Sequence, residues 1–349
     1  MTKLDDLLAD PGWFPEAMDT GRDTLRFARV SRDGLAKTPF LDQRMAPVIS
    51  DRRDVRLSEA LAAWDADKAR KVRMPAFLFH SAFCCSTLLA KALDAPGACL
   101  ALKEPDILMH LANALRVDEA LKRDPARAKR LSAFIFGLLG RQFAKGERVL
   151  VKPTNSGNNL ITPVREAGAP ALLLYGDLRS FLISVIKKGE PCKGFMRLQY
   201  NIFSLDPGGL GAIPHRQAMG FTDLQVAALV WRHQMEAFAG ALERDRDLAS
   251  LDFTALLDRP EAVLTAVSRH LKLRHGSARI AAAATGPVFR ENSKDAGEAY
   301  DPERRERDAA ALEATHKDTL DLIEPWAAKL TLSRPASLPL PHPLDIAAR

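Results

Sequence analysis

From position 75 onward the apolar residues gather in short runs at 76–80, 98–102, 148–152, 171–175 and 248–253. Runs of this length, set between helical patterns, predict strands buried on both faces. Helical spacing recurs between them at 86–93, 107–115, 126–143, 158–166, 179–188, 222–244 and 254–271. Strand and helix in alternation predict an α/β fold, a three-layer αβα arrangement around a central parallel sheet. Phe221, Leu224, Ala228, Trp231, Met235, Phe238 and Leu242 form one continuous helical stripe, which assigns Trp231 to the core. A last helix is expected over 302–330, with Pro302 in its first turn.

Outside these periodic segments the chain reads differently. Residues 1–72 carry only scattered anchors, Trp13, Phe14, Phe27, Phe40 and Leu41, with one helix near 57–68, and are read as an N-terminal arm. Residues 73–334 would form the main domain, and the Pro-rich residues 335–349 a surface strap. The stretch from Lys188 to Arg216, punctuated by Pro191, Pro207, Gly208, Gly209, Gly211 and Pro214, reads as an irregular lid.

Composition narrows the partners. The 349 residues include 50 Lys and Arg against 44 Asp and Glu, a formal charge of +6 with no basic block. That balance suits a small anionic ligand better than a nucleic acid. The first residues are acidic where a secretory signal needs basic ones, and no apolar stretch approaches the roughly 20 residues of a membrane span, so the expected location is the cytoplasm. Cys84, Cys85, Cys99 and Cys192 match no zinc spacing and are read as reduced thiols; the eight histidines suggest no metal site either.

The informative motif runs from Phe77 to Leu93: an apolar strand, a turn of small residues, then Ser86 and Thr87 opening a helix. At the carboxyl edge of a parallel sheet this arrangement points free backbone N–H groups and the positive helix end at an anion. A Walker loop needs glycines and a Lys before the Ser or Thr, and this turn has neither, which counts against a magnesium-dependent nucleotide kinase.

With four further features in order along residues 75–330, the motif resembles the sulfotransferase superfamily, P-loop relatives that take a sulfuryl group from 3'-phosphoadenosine 5'-phosphosulfate (PAPS). The pattern is nearest the tyrosylprotein-type and bacterial branch. The resemblance implies that Ser81, Cys84, Cys85, Ser86 and Thr87 lie in the phosphosulfate loop, with Phe83 standing where that family has a cation. It makes Glu104, in the segment from Ala101 to Pro105, the base, and Lys152, ending the segment from Val149 to Pro153, the cation of the transition state. Arg179 and Ser184 fit the pattern that holds the 3'-phosphate, although Gly176 replaces the Arg before Asp177. Lys294 resembles the late basic residue that closes over the co-substrate. PAPS is then the expected co-substrate, with no metal, and the acceptor is a small molecule, glycan or protein with a hydroxyl or amine.

Other readings stay open on the residues alone. Ser86 and Thr87 also suit a plain helix cap, Glu104 with Lys103 a solvated charge pair, Arg179 an exposed side chain, and His80 either a ligand contact or a satisfied core histidine. Cys84 and Cys85 at a helix start could be acidified, reactive thiols. The alternatives to a transferase are a non-catalytic relative that binds a nucleotide or protein, and a P-loop kinase.

Overall fold

The computed structural model describes residues 3–67, 69, 71, 73–206, 209–289, 302–330, 332–334 and 336–347. Three strands come first: β1 (Trp13–Asp19), β2 (Thr24–Arg29) and β3 (Asp51–Arg56), an antiparallel sheet in that order. Five follow: β4 (Ala76–His80), β5 (Cys99–Lys103), β6 (Arg148–Lys152), β7 (Ala171–Tyr175) and β8 (Ala249–Asp252). They lie in the order β5-β6-β4-β7-β8, every pair parallel. The α/β expectation is met, and all five expected strands form within two residues of their predicted bounds.

Alternation along each strand splits the core in two. Phe77, Phe79, Leu102, Val151 and Leu173 face one cluster, and Leu78, Cys99, Leu150, Leu172 and Leu174 the other. The helix Ser86–Leu93 after β4 packs in the second cluster, while the helices Asp106–Val117, Ile161–Glu166 and Leu178–Phe203 after β5, β6 and β7 pack in the first. The chain leaving β4 therefore parts from the chains leaving its neighbours, opening a crevice at the carboxyl edge, where ligands of such sheets bind.

Residues of the arm share the first cluster: Phe14, Leu25 and Phe27 are buried with Phe77 and Phe79. β1 packs on the helix Asp106–Val117. The segment after the helix Arg32–Lys37 then runs beside the end of β5, where Leu41 N–H donates to the Lys103 carbonyl at 2.7 Å and the Leu41 carbonyl accepts from Asp106 N–H at 2.9 Å. At the other end of the chain the tail follows β8, with Ser250 N–H donating to the His342 carbonyl and Leu344 N–H to the Ser250 carbonyl.

Four predicted elements need correction. The expected lid from Lys188 is helical as far as Phe203: Gly189, at φ 64°, breaks the helix Leu178–Phe203 for one residue, and Pro191 sits in the first turn of the second piece, where its missing N–H costs nothing. Cys192, Met196, Tyr200 and Phe203 then bury one face, which outweighs the local turn signals. The single helix expected over 254–271 divides into Phe253–Asp258 and Pro260–His270, with Pro260 restarting it. The one expected over 302–330 divides into Pro302–Thr315 and Lys317–Ala328. The helix expected over 158–166 begins as a 3-10 turn, Asn155–Leu160, before Ile161–Glu166. No helix among the described residues is long and apolar enough to cross a membrane.

Candidate active site

The turn after β4 holds three non-glycine residues at positive φ: Ala82 at 66°, Phe83 at 52° and Cys85 at 58°. Such left-handed residues cost free energy that the surrounding packing must offset, and they gather where a backbone is shaped for a ligand. Among the described residues, the amides of Cys84, Ser86, Thr87 and Leu88 donate no hydrogen bond, because the helix ladder begins only at Leu89 N–H to the Cys85 carbonyl. The hydroxyls of Ser86 and Thr87 likewise have no partner there, although both residues are buried. Several unused donors at one helix start, without a side-chain cap, make an anion cradle.

The flanking strand braces the turn. His80 accepts from Ala82 N–H through Nδ1 at 3.1 Å and donates from Nε2 to the Pro153 carbonyl at 3.0 Å, which fixes a neutral ring. Of its two readings, the satisfied core histidine is the one seen. Ser81 is buried and extends the sheet by donating to the Leu174 carbonyl. Cys84 is buried, and its thiol is pushed up to about 12 by burial and by the neighbouring Cys85, the opposite of an activated nucleophile. Cys85 is the left-handed cap residue. The Phe83 ring packs against Phe181, centroids 5.2 Å apart.

Glu104 and Lys152 meet across the next strand pair. Parallel register places Lys103 opposite Lys152, so Glu104 is the first residue past β5, and its N–H donates to the Lys152 carbonyl at 2.6 Å. A left-handed backbone, φ 53°, turns Glu104 out of strand geometry, and its carboxylate accepts from the Lys152 ammonium in a direct ion pair. The Lys152 side chain is 1% exposed and that of Glu104 24%, so the carboxylate keeps an open side while the ammonium does not. Lys152 also lies 5.7 Å from the centroid of Phe40, whose ring carries the Arg44 guanidinium at 4.2 Å. β4 and β6 are neighbours, and the bond from His80 to the carbonyl of Pro153, the residue after Lys152, sets the strand end that carries the ammonium next to the one that opens the loop. Behind the pair, a buried amide network joins Asn155 to Gln199 and Gln234, and Asn158 to the His80 carbonyl.

The far side of the loop has another character. Gly176 follows β7, and a Cβ there would lie 2.9 Å from Cδ1 of Phe253, so that ring fills the space a side chain would need. Arg179 is engaged by three carboxylates, those of Glu313, Asp321 and Glu324, and these pairs hold its guanidinium pKa above its ordinary value. Ser184 is half-buried on the same helix. Lys294 lies outside the described residues. The structure thus brings Ser86, Thr87, Cys84, Cys85, Ser81, Lys152 and Glu104 to one region, and sets Arg179 among acidic side chains. Phe40, Arg44 and Phe253 were not singled out for the site from sequence: Phe40 and Arg44 lie far from the motifs in the chain, and Phe253 was read only as the end of the expected strand 248–253.

No family model and no curated protein sequence matches the chain. Solved sulfotransferase domains do. One, from the curacin biosynthetic pathway, is 13% identical and aligns over 76% of this chain and 95% of its own, with a TM-score of 0.38. Another, from the Synechococcus PCC 7002 olefin synthase, is 14% identical over 75% of this chain and 98% of its own, with a TM-score of 0.39.

Proposed function

We propose that the chain is a sulfotransferase that moves a sulfuryl group from the phosphosulfate end of a nucleotide to a hydroxyl or amine. The observation that carries this reading is the Glu104–Lys152 pair at adjoining strand ends, beside a helix start where the amides of Cys84, Ser86, Thr87 and Leu88 and the hydroxyls of Ser86 and Thr87 have no partner among the described residues. In the step, the acceptor oxygen or nitrogen bonds to sulfur as the bond from sulfur to the phosphate oxygen breaks, and that oxygen leaves with the electron pair. Glu104 takes the acceptor's proton. Lys152 and the loop donors stabilise the charge growing on the departing phosphate, and holding the reactants in line supplies the remainder of the catalysis. Opening of the Glu104–Lys152 pair as substrates enter frees both groups for these roles.

PAPS is the donor implied by the sequence resemblance, and the residues fit it unevenly. The loop suits its phosphosulfate end. Gly176 backed by Phe253, and Arg179 already held by three carboxylates, do not suit a 3'-phosphate. The same two features, with Phe83 in the loop, favour a second reading: a non-catalytic relative that binds a nucleotide or protein through the same crevice.

Transfer of labelled sulfate from a phosphosulfate nucleotide to a panel of phenols, alcohols, amines and glycans separates the two. On the transferase reading, Glu104→Gln lowers turnover about 10²- to 10⁴-fold with nucleotide affinity unchanged. Nucleotide binding without turnover on any acceptor would support the second reading, and absence of nucleotide binding would reject both in their nucleotide form.

A further inference from the structure

Beyond the loop, the chain leaving β7 borders a cavity of about 630 Å³ walled by Asp177, Leu178, Trp231, Glu324, Ala328 and Leu338, among others. Its size falls within the range of small-molecule sites. Gly176 stands between cavity and loop: Trp231 Nε1 donates to its carbonyl at 2.9 Å, and Cys84 Cβ would be 3.8 Å from a Cβ placed on it. A ligand anchored by its anionic end in the loop therefore has a partly apolar chamber next door.

The charge of that chamber is unusual for a nucleotide site. Asp177 and Glu324 line it; Asp177 caps the helix after β7 by accepting from Ser180 N–H, and Glu324 shares the Arg179 guanidinium with Glu313 and Asp321. Arg232, a cation that lines the cavity itself, is paired with Glu236 and donates to the Ala336 carbonyl. A phosphate dianion placed here would meet like charge and no unengaged cation among the described residues. A neutral ribose with a free 3'-hydroxyl would instead find carboxylate acceptors, and a purine would find Trp231, Leu178 and Leu338 for apolar contact. Phe253 fills the space that a side chain at position 176 would need.

We infer that this cavity receives the nucleoside of the donor, and that it selects a nucleotide carrying its phosphate or phosphosulfate on the 5' position alone, with no 3'-phosphate. The inference rests on the sulfotransferase reading of the loop. It makes adenosine 5'-phosphosulfate the matching donor class, with the same atoms exchanged: the sulfur bond to the 5'-phosphate oxygen breaks, and adenosine 5'-monophosphate leaves.

Isothermal titration of the full chain with adenosine 5'-monophosphate and with adenosine 3',5'-bisphosphate, at one ionic strength, tests it. The monophosphate should bind at least tenfold more tightly. Ala328→Trp, at an exposed wall position, should weaken monophosphate binding at least tenfold while leaving the melting temperature unchanged. Gly176→Arg combined with Phe253→Ala, if folded, should narrow or reverse the preference. Equal or tighter binding of the bisphosphate to the native chain would overturn the inference and leave the transferase reading standing. Monophosphate binding untouched by Ala328→Trp would overturn the placement in this cavity. Failure of both nucleotides to bind would remove the transferase reading and the inference with it.

Discussion

Lys103 offers a test of the electrostatics at the sheet edge that does not depend on knowing the substrate. Its side chain is fully buried and donates to the Ala36 carbonyl at 2.6 Å, and no carboxylate among the described residues pairs with it. Burial, reinforced by the nearby charges of Lys91, Lys152 and Arg32 against an opposing pull from Asp94, lowers its pKa from the ordinary 10.5 to about 8. Between those two values the unfolded chain holds a proton that the folded chain has released. Stability therefore rises with pH there, by about 1.4 kcal/mol per pH unit. Below about pH 8 both states are protonated, and the folded state bears the whole cost, roughly 3 kcal/mol. Lys103→Met removes the titrating group and keeps most of the volume. Urea unfolding of both proteins at pH 8 and pH 10 should show the native chain gaining about 2 kcal/mol relative to the variant over that interval. Loss of the bond to Ala36 weakens the variant by a similar amount at both values and so largely drops out. Parallel stability curves for the two proteins would refute a depressed lysine and the dry environment it requires.

Other consequences follow from single contacts. Gly176→Ala puts a methyl 2.9 Å from the Phe253 ring and should destabilise the fold by about 1–3 kcal/mol in a urea melt, whereas an unchanged midpoint would mean that the ring is free to yield. Asp206→Asn breaks the buried pair with Arg116, N to O 2.6 Å, and should cost about 3–5 kcal/mol. Burial alone would raise the Asp206 carboxyl, but hydrogen bonds from His233 and Arg116 outweigh it and hold the group below its ordinary 3.8. Its contribution is thus present above about pH 4 and lost as pH falls through the lower folded value, so the asparagine variant should show a shallower acid limb. In the transfer assay, Lys152→Ala should lower turnover by about 10²-fold or more, and near-native turnover would remove Lys152 from the leaving-group role.

The legible part of the fold was the part set by neighbours in sequence. Runs such as 76–80 and 171–175 are wholly buried in the structure because a strand covered on both faces has no polar side to show. The helix from Asp223 carries a stripe whose period alone places Trp231 inward. Where local signals conflicted, packing decided: Gly189 and Pro191 read as a lid, yet the buried face of Cys192, Met196 and Tyr200 carries the helix on to Phe203. The loop was legible for a similar reason, since a strand, a small-residue turn and a Ser-Thr helix start are contiguous.

The sequence by itself determined the alternation of elements, the turn of small residues after β4 and the residue types at its strand ends. Tertiary structure alone decided what those residues meet. Glu104 and Lys152 are 48 positions apart and touch because β5 and β6 pair in one parallel register. Arg179, read as a phosphate ligand, is met instead by carboxylates more than 130 positions away. Such encounters depend on strand order and helix packing, which sum many weak contacts over the whole chain, and no window of neighbouring residues contains them.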